Sequence, residues 1–431
     1  MRILLTGANG FIGGKLLAGL TARGHEVVGA VRNPATVRGR FPGVDAIAVD
    51  FNRDVAASDW MSRLAGIDAV INCAGVLHGG HGQDIEAIHA KAPIALFDAC
   101  MAAGVRRVVQ ISAISADAEA GTIYALTKKR ADDHLRSLPL DWTVLRPSLI
   151  YGEGSYGGTS ALRGLAGLPL ITPMVGDGSA SFRPLHIDDL VETVVRVIES
   201  ERFVGETLDP AGPEIVSLRD LVLRYRSWLG LRPALTFPLP LPLMALAARI
   251  ADLGGGGPLG TASLEQLRYG NAGGAAAAAF ADRIGFTPRR LQAALSRRPA
   301  QTQDLWHARL YFMRPVLRAA LILLWIGSAI AGLLAPVAAY ADVAAAFATF
   351  GLPARPLAIA FSAVDLLIAA ALLLRWRPRV LASLQLAVIG GYTILLGAMV
   401  PGLWLDPFGA LLKNLSILAA ICVWAILEEE R

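Results

Sequence analysis

Short apolar runs and longer amphipathic stretches alternate through the first 150 residues. Runs at 3–5, 26–31, 46–49, 69–72, 107–111 and 142–145 have the length of strands. Between them, 15–23, 85–103 and 124–138 carry apolar positions at helical spacing. Strands separated by helices predict a doubly wound parallel sheet covered on both faces, an α/β fold. From 147 to 295 the pattern is less regular and richer in Pro and Gly. There 184–200 reads as strand, cap and helix, 217–230 as a helix, and 285–298 as loop and closing helix. The Gly-rich stretches 254–260 and 270–280 read as loops or a loosely specified helix. Residues 238–250, PLPLPLMALAARI, read as core by default, with a hydrophobic lid or a membrane-surface helix as alternatives.

The last quarter of the chain has no such alternation. Apolar spans at 318–340, 357–374, 380–400 and 408–427 have hardly any polar face, and each is long enough or nearly so to cross a bilayer. This divides the chain into 1–297, an α/β domain whose C-terminal half is a small substrate subdomain, a linker at 298–312, and an all-α four-helix membrane domain at 313–431. Composition fits the division: 54% hydrophobic residues and only 17% charged, with mean hydropathy +0.49. Arg309, Arg314 and Arg318 precede the first span, and Arg375, Arg377 and Arg379 join the second to the third. The positive-inside rule then puts both termini in the cytoplasm of a bacterial inner membrane. Within the spans, Asp365 is costly in hydrocarbon and marks a functional position; Lys413 is its partner or a snorkelling interface residue.

The net charge of +5 is modest and has no basic block interleaved with aromatics, which argues against nucleic acid as a partner. Cys73, Cys100 and Cys422 are too scattered for a disulfide framework and read as reduced thiols. The apolar run before the first glycine is too short for the core of a signal peptide, so no leader is expected. His78 and His81 share a Gly-rich loop without a third ligand, so no metal is expected.

The first strand runs straight into Thr6-Gly7-Ala8-Asn9-Gly10-Phe11-Ile12-Gly13. Three glycines at a strand-to-helix turn let backbone amides meet a phosphate, and the flanking strand–helix–strand pattern makes this a dinucleotide site. The turn resembles the TGxxGxxG element of the short-chain dehydrogenase/reductase superfamily, in its extended and atypical branches. It is similar to the branch that includes the 39 kDa subunit of respiratory complex I. That resemblance implies a Rossmann-type fold and a nicotinamide cofactor. It draws Gly7, Asn9, Gly10, Phe11, Ile12 and Gly13 to the pyrophosphate, Asp50 and Phe51 to the adenine, and Cys73, Ala74, Gly75 and Pro147 to the rest of the cofactor. Where an acidic residue would grip a ribose hydroxyl, Arg32 stands instead, suited to a 2′-phosphate; NADP(H) is therefore expected over NAD(H).

Tyr124 and Lys128 lie at i and i+4 of a predicted helix and share a face. A neighbouring ammonium favours the phenolate and makes Tyr124 an acid/base, while Lys128 reaches the nicotinamide ribose in the family. Ser112, ending the fifth strand, is expected to polarise a substrate carbonyl, with Ser115 as its rival. Segments 145–155 and 182–195 resemble further elements of the extended members, and the tail ending LLKNLSILAAI resembles a DoxX-like domain. Together these imply a membrane-anchored NAD(P)-dependent oxidoreductase or epimerase acting on a small molecule or a lipid- or quinone-like one. The alternative is a non-catalytic NAD(P)H-binding module with a structural, assembly or redox-sensing role. Oligomeric state is left open.

Overall fold

The computed structural model describes residues 1–76, 83–116, 121–154, 157–253, 260–407 and 409–429. Two compact units divide the chain, Met1–Ala308 and Arg309–Arg431.

In the first unit the strands are β1 (Arg2–Thr6), β2 (Glu26–Val31), β3 (Asp45–Ala48), β4 (Ala69–Asn72), β5 (Arg107–Ile111) and β6 (Asp141–Leu145). They are followed by β7 (Ile150–Tyr151), β8 (Ile171–Val175), β9 (Ser181–Phe182), β10 (Leu185–His186), β11 (Glu206–Leu208), β12 (Val216–Ser217) and β13 (Leu235–Leu239). Seven of them form one sheet in the order β11-β6-β5-β4-β1-β2-β3, and every neighbouring pair is parallel. The order reverses between β1 and β4, and a crevice at such a reversal is where open α/β sheets bind ligands.

Strands buried on both faces need helices on both. α1 (Phe11–Ala22) and α7 (Ile187–Ile198) cover one side, closing Leu16, Leu17, Leu20, Leu190 and Val194 over Ile3, Leu5 and Ile71. α4 (Ala92–Ala103) and α5 (Ile123–Ser137) cover the other, with Leu96, Phe97, Ala131 and Leu135 against Leu4, Val70 and Val108. One π-helical turn, Ala87–Lys91, leads into α4. The strands read from the apolar runs are all present, to within a residue at either end.

α6 (Gly158–Gly167) and α8 (Leu218–Trp228) build a smaller third core with Met174, Phe182 and Leu291. The stretch expected to be a linker is not an open tether. Residues Thr302–Leu310 form a helix whose Asp304 and Ala308 are buried, and Ala308 packs so closely on Gly167 that a Cβ there would meet it at 2.9 Å. The expected core segment at 238–250 also differs: α9 (Leu241–Leu253) leaves Leu243 and Leu246 exposed. Of the Gly-rich 254–260 stretch, all but Gly260 lies outside the described residues.

In the second unit, Met313–Leu334, Ala354–Leu373 and Pro378–Met399 are long and apolar enough to cross a membrane. The first ends at Leu334 rather than running to 340, because Pro336 cannot continue the ladder; two short helices, Val337–Tyr340 and Ala341–Ala348, follow. The fourth expected span is the shorter helix Leu412–Leu427, at 16 residues below the ~20 that span a bilayer; Phe408 lies outside the described residues. Glu428 at its end reaches Arg314 at 3.3 Å and Arg318 at 3.7 Å, and Glu429 reaches Arg379 at 3.1 Å. The four helices enclose Leu321, Trp325, Ile368, Leu372, Ile389 and Trp424. Polar pairs cross the interior: Trp325 Nε1 donates to Gln385 at 2.9 Å and Asn414 Nδ2 to Thr393 at 2.8 Å. Asp365 accepts from Ser328 Oγ at 2.7 Å, whereas Lys413 is exposed and makes no ion pair among the described residues.

Candidate active site

The glycine turn is built by backbone fit. Gly7 has φ +66°, and a Cβ on it would stand 2.9 Å from the Cys73 carbonyl oxygen. The Gly10 amide donates to the Gly7 carbonyl at 2.9 Å. Any Cβ on Gly13 would collide with that same carbonyl, so the helix can start here only on glycine. Gly10 is the N-cap of α1 and offers no side-chain cap, which leaves the first amides of the helix, at Phe11, Ile12 and Gly13, for a ligand. Phe11 and Ile12 turn their side chains onto the core. Asn9 joins through its backbone: its carbonyl accepts from Arg40 Nη1 at 3.2 Å.

A buried polar chain ties this turn to the next strand ends. Thr6 Oγ1 accepts from the amides of Cys73 (3.0 Å) and Ala74 (3.2 Å) and donates to Asn72 Oδ1 at 2.5 Å. Asn72 Nδ2 in turn donates to Gln110 at 2.7 Å. Arg32 is exposed at the end of β2, and Arg40 is a second exposed cation close to the turn that the motif did not single out. Asp50 is partly exposed and accepts from the Asn52 amide and side chain, both at 3.0 Å. The Phe51 ring is buried edge-on to Trp60, centroids 5.5 Å apart, so the backbone is the part of this residue available to a ligand.

The second half of the site gathers on α5, capped by the Thr122 side chain accepting from the Ala125 amide. Lys128 is buried; its Nζ donates to the Ile111 carbonyl at 3.3 Å and lies 5.7 Å from the Tyr124 ring centroid. Gly75 comes so near that a Cβ there would sit 3.4 Å from Nζ. The pair predicted from spacing is therefore together, beside the strand β4 loop. Its electrostatics run opposite to expectation. Burial and the Asp132 carboxyl push the Tyr124 phenol above its ordinary value, and burial pulls the Lys128 ammonium down. Tyr124 is held as the neutral phenol, a proton donor. Burial likewise pushes the Cys73 thiol up to about 12, so it stays protonated.

Ser112, expected to polarise a substrate carbonyl, has its hydroxyl engaged within the protein. Its hydroxyl is buried and donates to Asp132 Oδ2 at 2.5 Å, and Ala113 beside it has no hydroxyl to offer. Ser115 is half-buried one turn on. Pro147 is buried, and its carbonyl accepts from the Ile114 amide at 3.1 Å, stitching the loops after β5 and β6.

His89 joins the cluster without having been read from the sequence. Its Nε2 accepts from the Val76 amide at 3.0 Å, which leaves Nδ1 as the protonated nitrogen facing Thr127 Oγ1 at 3.3 Å. The ring stands edge-on to Tyr124, centroids 5.2 Å apart. Burial and Lys128 pull its pKa down to about 3, so it is neutral at physiological pH. It sits on the π-helical turn, a distortion common at functional sites that leaves no mark in the sequence pattern.

Residues 7–164 match the family described as NAD(P)H-binding, and residues 322–422 match the DoxX-like family. Over 270 residues the chain is 32% identical to the 3-diazoavenalumate denitrifying reductase of a Streptomyces species, covering 56% of this chain and 86% of that one. The chain belongs to the NAD(P)-binding short-chain dehydrogenase/reductase family. Its C-terminal domain is DoxX-like. UDP-glucose 4-epimerase of Vibrio cholerae is similar at 24% identity over 269 residues, 56% of this chain and 79% of its own. Solved structures that share the fold include MoeE5 in complex with UDP-glucose and NAD (TM-score 0.51, 21% identity, 72% of this chain and 100% of that one) and the dTDP-glucose 4,6-dehydratase of Bacillus anthracis in complex with NAD (0.53, 15%, 73% and 99%).

The residues present fit the family's nicotinamide dinucleotide. A Cβ-free cradle at Gly7 and Gly13 and the uncapped start of α1 are what a pyrophosphate needs. Among the described residues no group of three or more metal-ligating side chains occurs, and His78 and His81 lie outside them.

Proposed function

We propose that this protein is a membrane-anchored NADP(H)-dependent reductase of short-chain dehydrogenase type, acting on a small carbonyl compound dissolved in or bound to the membrane. The observation that carries the reading is the neutral Tyr124 phenol packed against Lys128 and His89 beside Gly75. Bound to the glycine cradle, the cofactor supplies hydride. Tyr124 donates the proton to the carbonyl oxygen, and Lys128 holds the phenol in place and balances charge as the proton leaves. His89, fixed through the Val76 amide and Thr127, sets the tilt of the Tyr124 ring. Arg32, with Arg40 near the turn, accounts for the preference for a 2′-phosphate.

The DoxX-like unit is assigned to a bacterial inner membrane with the nucleotide-binding unit cytoplasmic, on the strength of the arginines at 309–318 and 375–379. The ion pairs of Glu428 and Glu429 bring the end of the last helix back to the arginine-bearing end of the bundle, supporting four crossings despite its length.

The test is NADPH oxidation by the purified full chain in vesicles, presented with fractions of a membrane lipid extract. Turnover that disappears in Tyr124→Phe supports the reductase. One observation favours a non-catalytic cofactor-binding module: Ser112 is committed to Asp132, leaving no hydroxyl at the end of β5. Cofactor that stays bound and reduced through every extract fraction would establish that module instead.

A further inference from the structure

The segment 233–248 carries no charge, yet it is not core. β13 pairs in parallel with β8, so that Leu235 faces Ile171 and Phe237 faces Pro173. Residues two apart on a strand share a face, so Leu235, Phe237 and Ile171 project together, while Thr172 and Met174 turn inward. One residue later α9 begins. It buries Leu241 and Met244 against the third core and leaves Leu243, Leu246 and Ala247 outside, at the i, i+3, i+4 spacing of one helix face. Ile171, Leu235, Phe237, Leu243 and Leu246 are between 52% and 78% exposed. Scattered exposed leucines need no explanation, but an apolar strand face followed within two residues by an apolar helix face does.

We propose that β8, β13 and the outer face of α9 form a monotopic membrane-binding surface that rests in the headgroup region of the bilayer. Two observations select lipid as the occupant. The same chain carries three helices suited to crossing a membrane, so a bilayer is always at high effective concentration. The uncharged stretch is also bounded by two exposed cations, Arg232 and Arg249, with no acidic residue between them. Exposed cations at both ends of an apolar stretch suit anionic headgroups above acyl chains. None of these residues belongs to the cofactor or Tyr124 cluster, so the surface stands whether the protein reduces a substrate or only holds its cofactor.

The experiment places a photoreactive benzophenone amino acid at Phe237, at Leu243 or, as control, at exposed Val55 of the full chain in phosphatidylglycerol-containing vesicles. After irradiation, the adducts are identified by mass spectrometry. Phospholipid adducts several-fold more abundant at 237 and 243 than at 55, and reduced several-fold by Arg232→Glu with Arg249→Glu, are expected. NADPH binding by every variant, measured in parallel, reports that the unit has folded. Equal lipid labelling at all three positions overturns the proposal. So do crosslinks from 237 and 243 to peptides of residues 309–431 or to a second copy of the chain, since these assign the face to protein.

Discussion

The glycine turn and the Tyr124 cluster lie at neighbouring strand ends but are specified in different ways. The turn is backbone: its function depends on Gly7 and Gly13 having no side chain, on the Gly10 amide, and on an α1 start free of a cap. The cluster is side chain: Tyr124, Lys128, His89, Ser112 and Asp132 come from three elements, and burial sets their protonation. A backbone site tolerates change wherever a side chain has room and fails completely where, as at Gly7 and Gly13, it has none. A side-chain site can lose one proton donor and stay folded.

Gly13→Val gives the largest effect. Its side chain would overlap the Gly7 carbonyl inside the turn, so cofactor binding and the folding of β1–α1 are both lost. Binding titrations together with thermal melts check this. Gly10 has more room, a Cβ there meeting the Gly7 carbonyl at 3.2 Å, so Gly10→Ala should keep the fold and lose only affinity. Equal damage from the two would erase the distinction between a turn and a ligand contact.

Tyr124→Phe comes next. It should reduce turnover by roughly 10²–10⁴-fold, as loss of a general acid does, with cofactor affinity nearly unchanged. Lys128→Ala should harm both. A Tyr124→Phe protein with full activity would remove the chemistry from the cluster and leave a binding site alone.

His89 gives the cluster a pH signature that the turn lacks. Its folded pKa is about 3 against an ordinary 6.5, so between those values the unfolded chain takes up a proton that the folded chain does not. Stability is therefore complete above about pH 6.5 and declines as pH falls toward 3, by at most about 1.4 kcal/mol per unit from this residue. Melting temperatures across that window, with and without His89→Asn, isolate the contribution. An unchanged slope in the variant would mean the ring is not buried in its neutral form.

Arg32→Ala should lower the preference for NADPH over NADH by about tenfold, equivalent to ~1.4 kcal/mol. Comparable affinity for both cofactors in the unmutated protein would show that the exposed guanidinium reads no phosphate.

What was legible in the sequence follows the same division. Gly7, Gly10 and Gly13 announce a turn because only glycine satisfies it, and alternating runs announce a parallel sheet because both faces are buried. Tyr124 and Lys128 were found since a helix repeats every four residues. His89 was not, because its place beside Tyr124 depends on a π-helical turn and on contact between α5 and the segment before α4. Which way the Phe51 ring turns was not legible, because adjacency to Asp50 does not set its packing against Trp60. The tail's hydropathy located its helices, but Pro336 and the length of Leu412–Leu427 shifted their ends. Residues 238–250 read as core because composition alone cannot tell a buried apolar face from an exposed one.

Ser112 is where turn-like and cluster-like logic are easiest to confuse, and its substitution should have the smallest effect on turnover. It ends β5 at the position where a catalytic hydroxyl was expected, but its proton goes to Asp132 Oδ2, four residues beyond Lys128 on α5. Burial already pushes the Asp132 carboxyl above its ordinary value, and Ser112 and Lys128 pull it back. Ser112→Ala removes one of those donors from a buried carboxyl, which costs about 1–3 kcal/mol of stability. With the hydroxyl committed to Asp132, kcat should stay within a few-fold of the unmutated protein, and Ser115→Ala should weaken it more. Thermal melts beside steady-state rates separate the two roles. A collapse of kcat in Ser112→Ala without loss of melting temperature would return Ser112 to the substrate, and with it the pattern expected from the strand end alone.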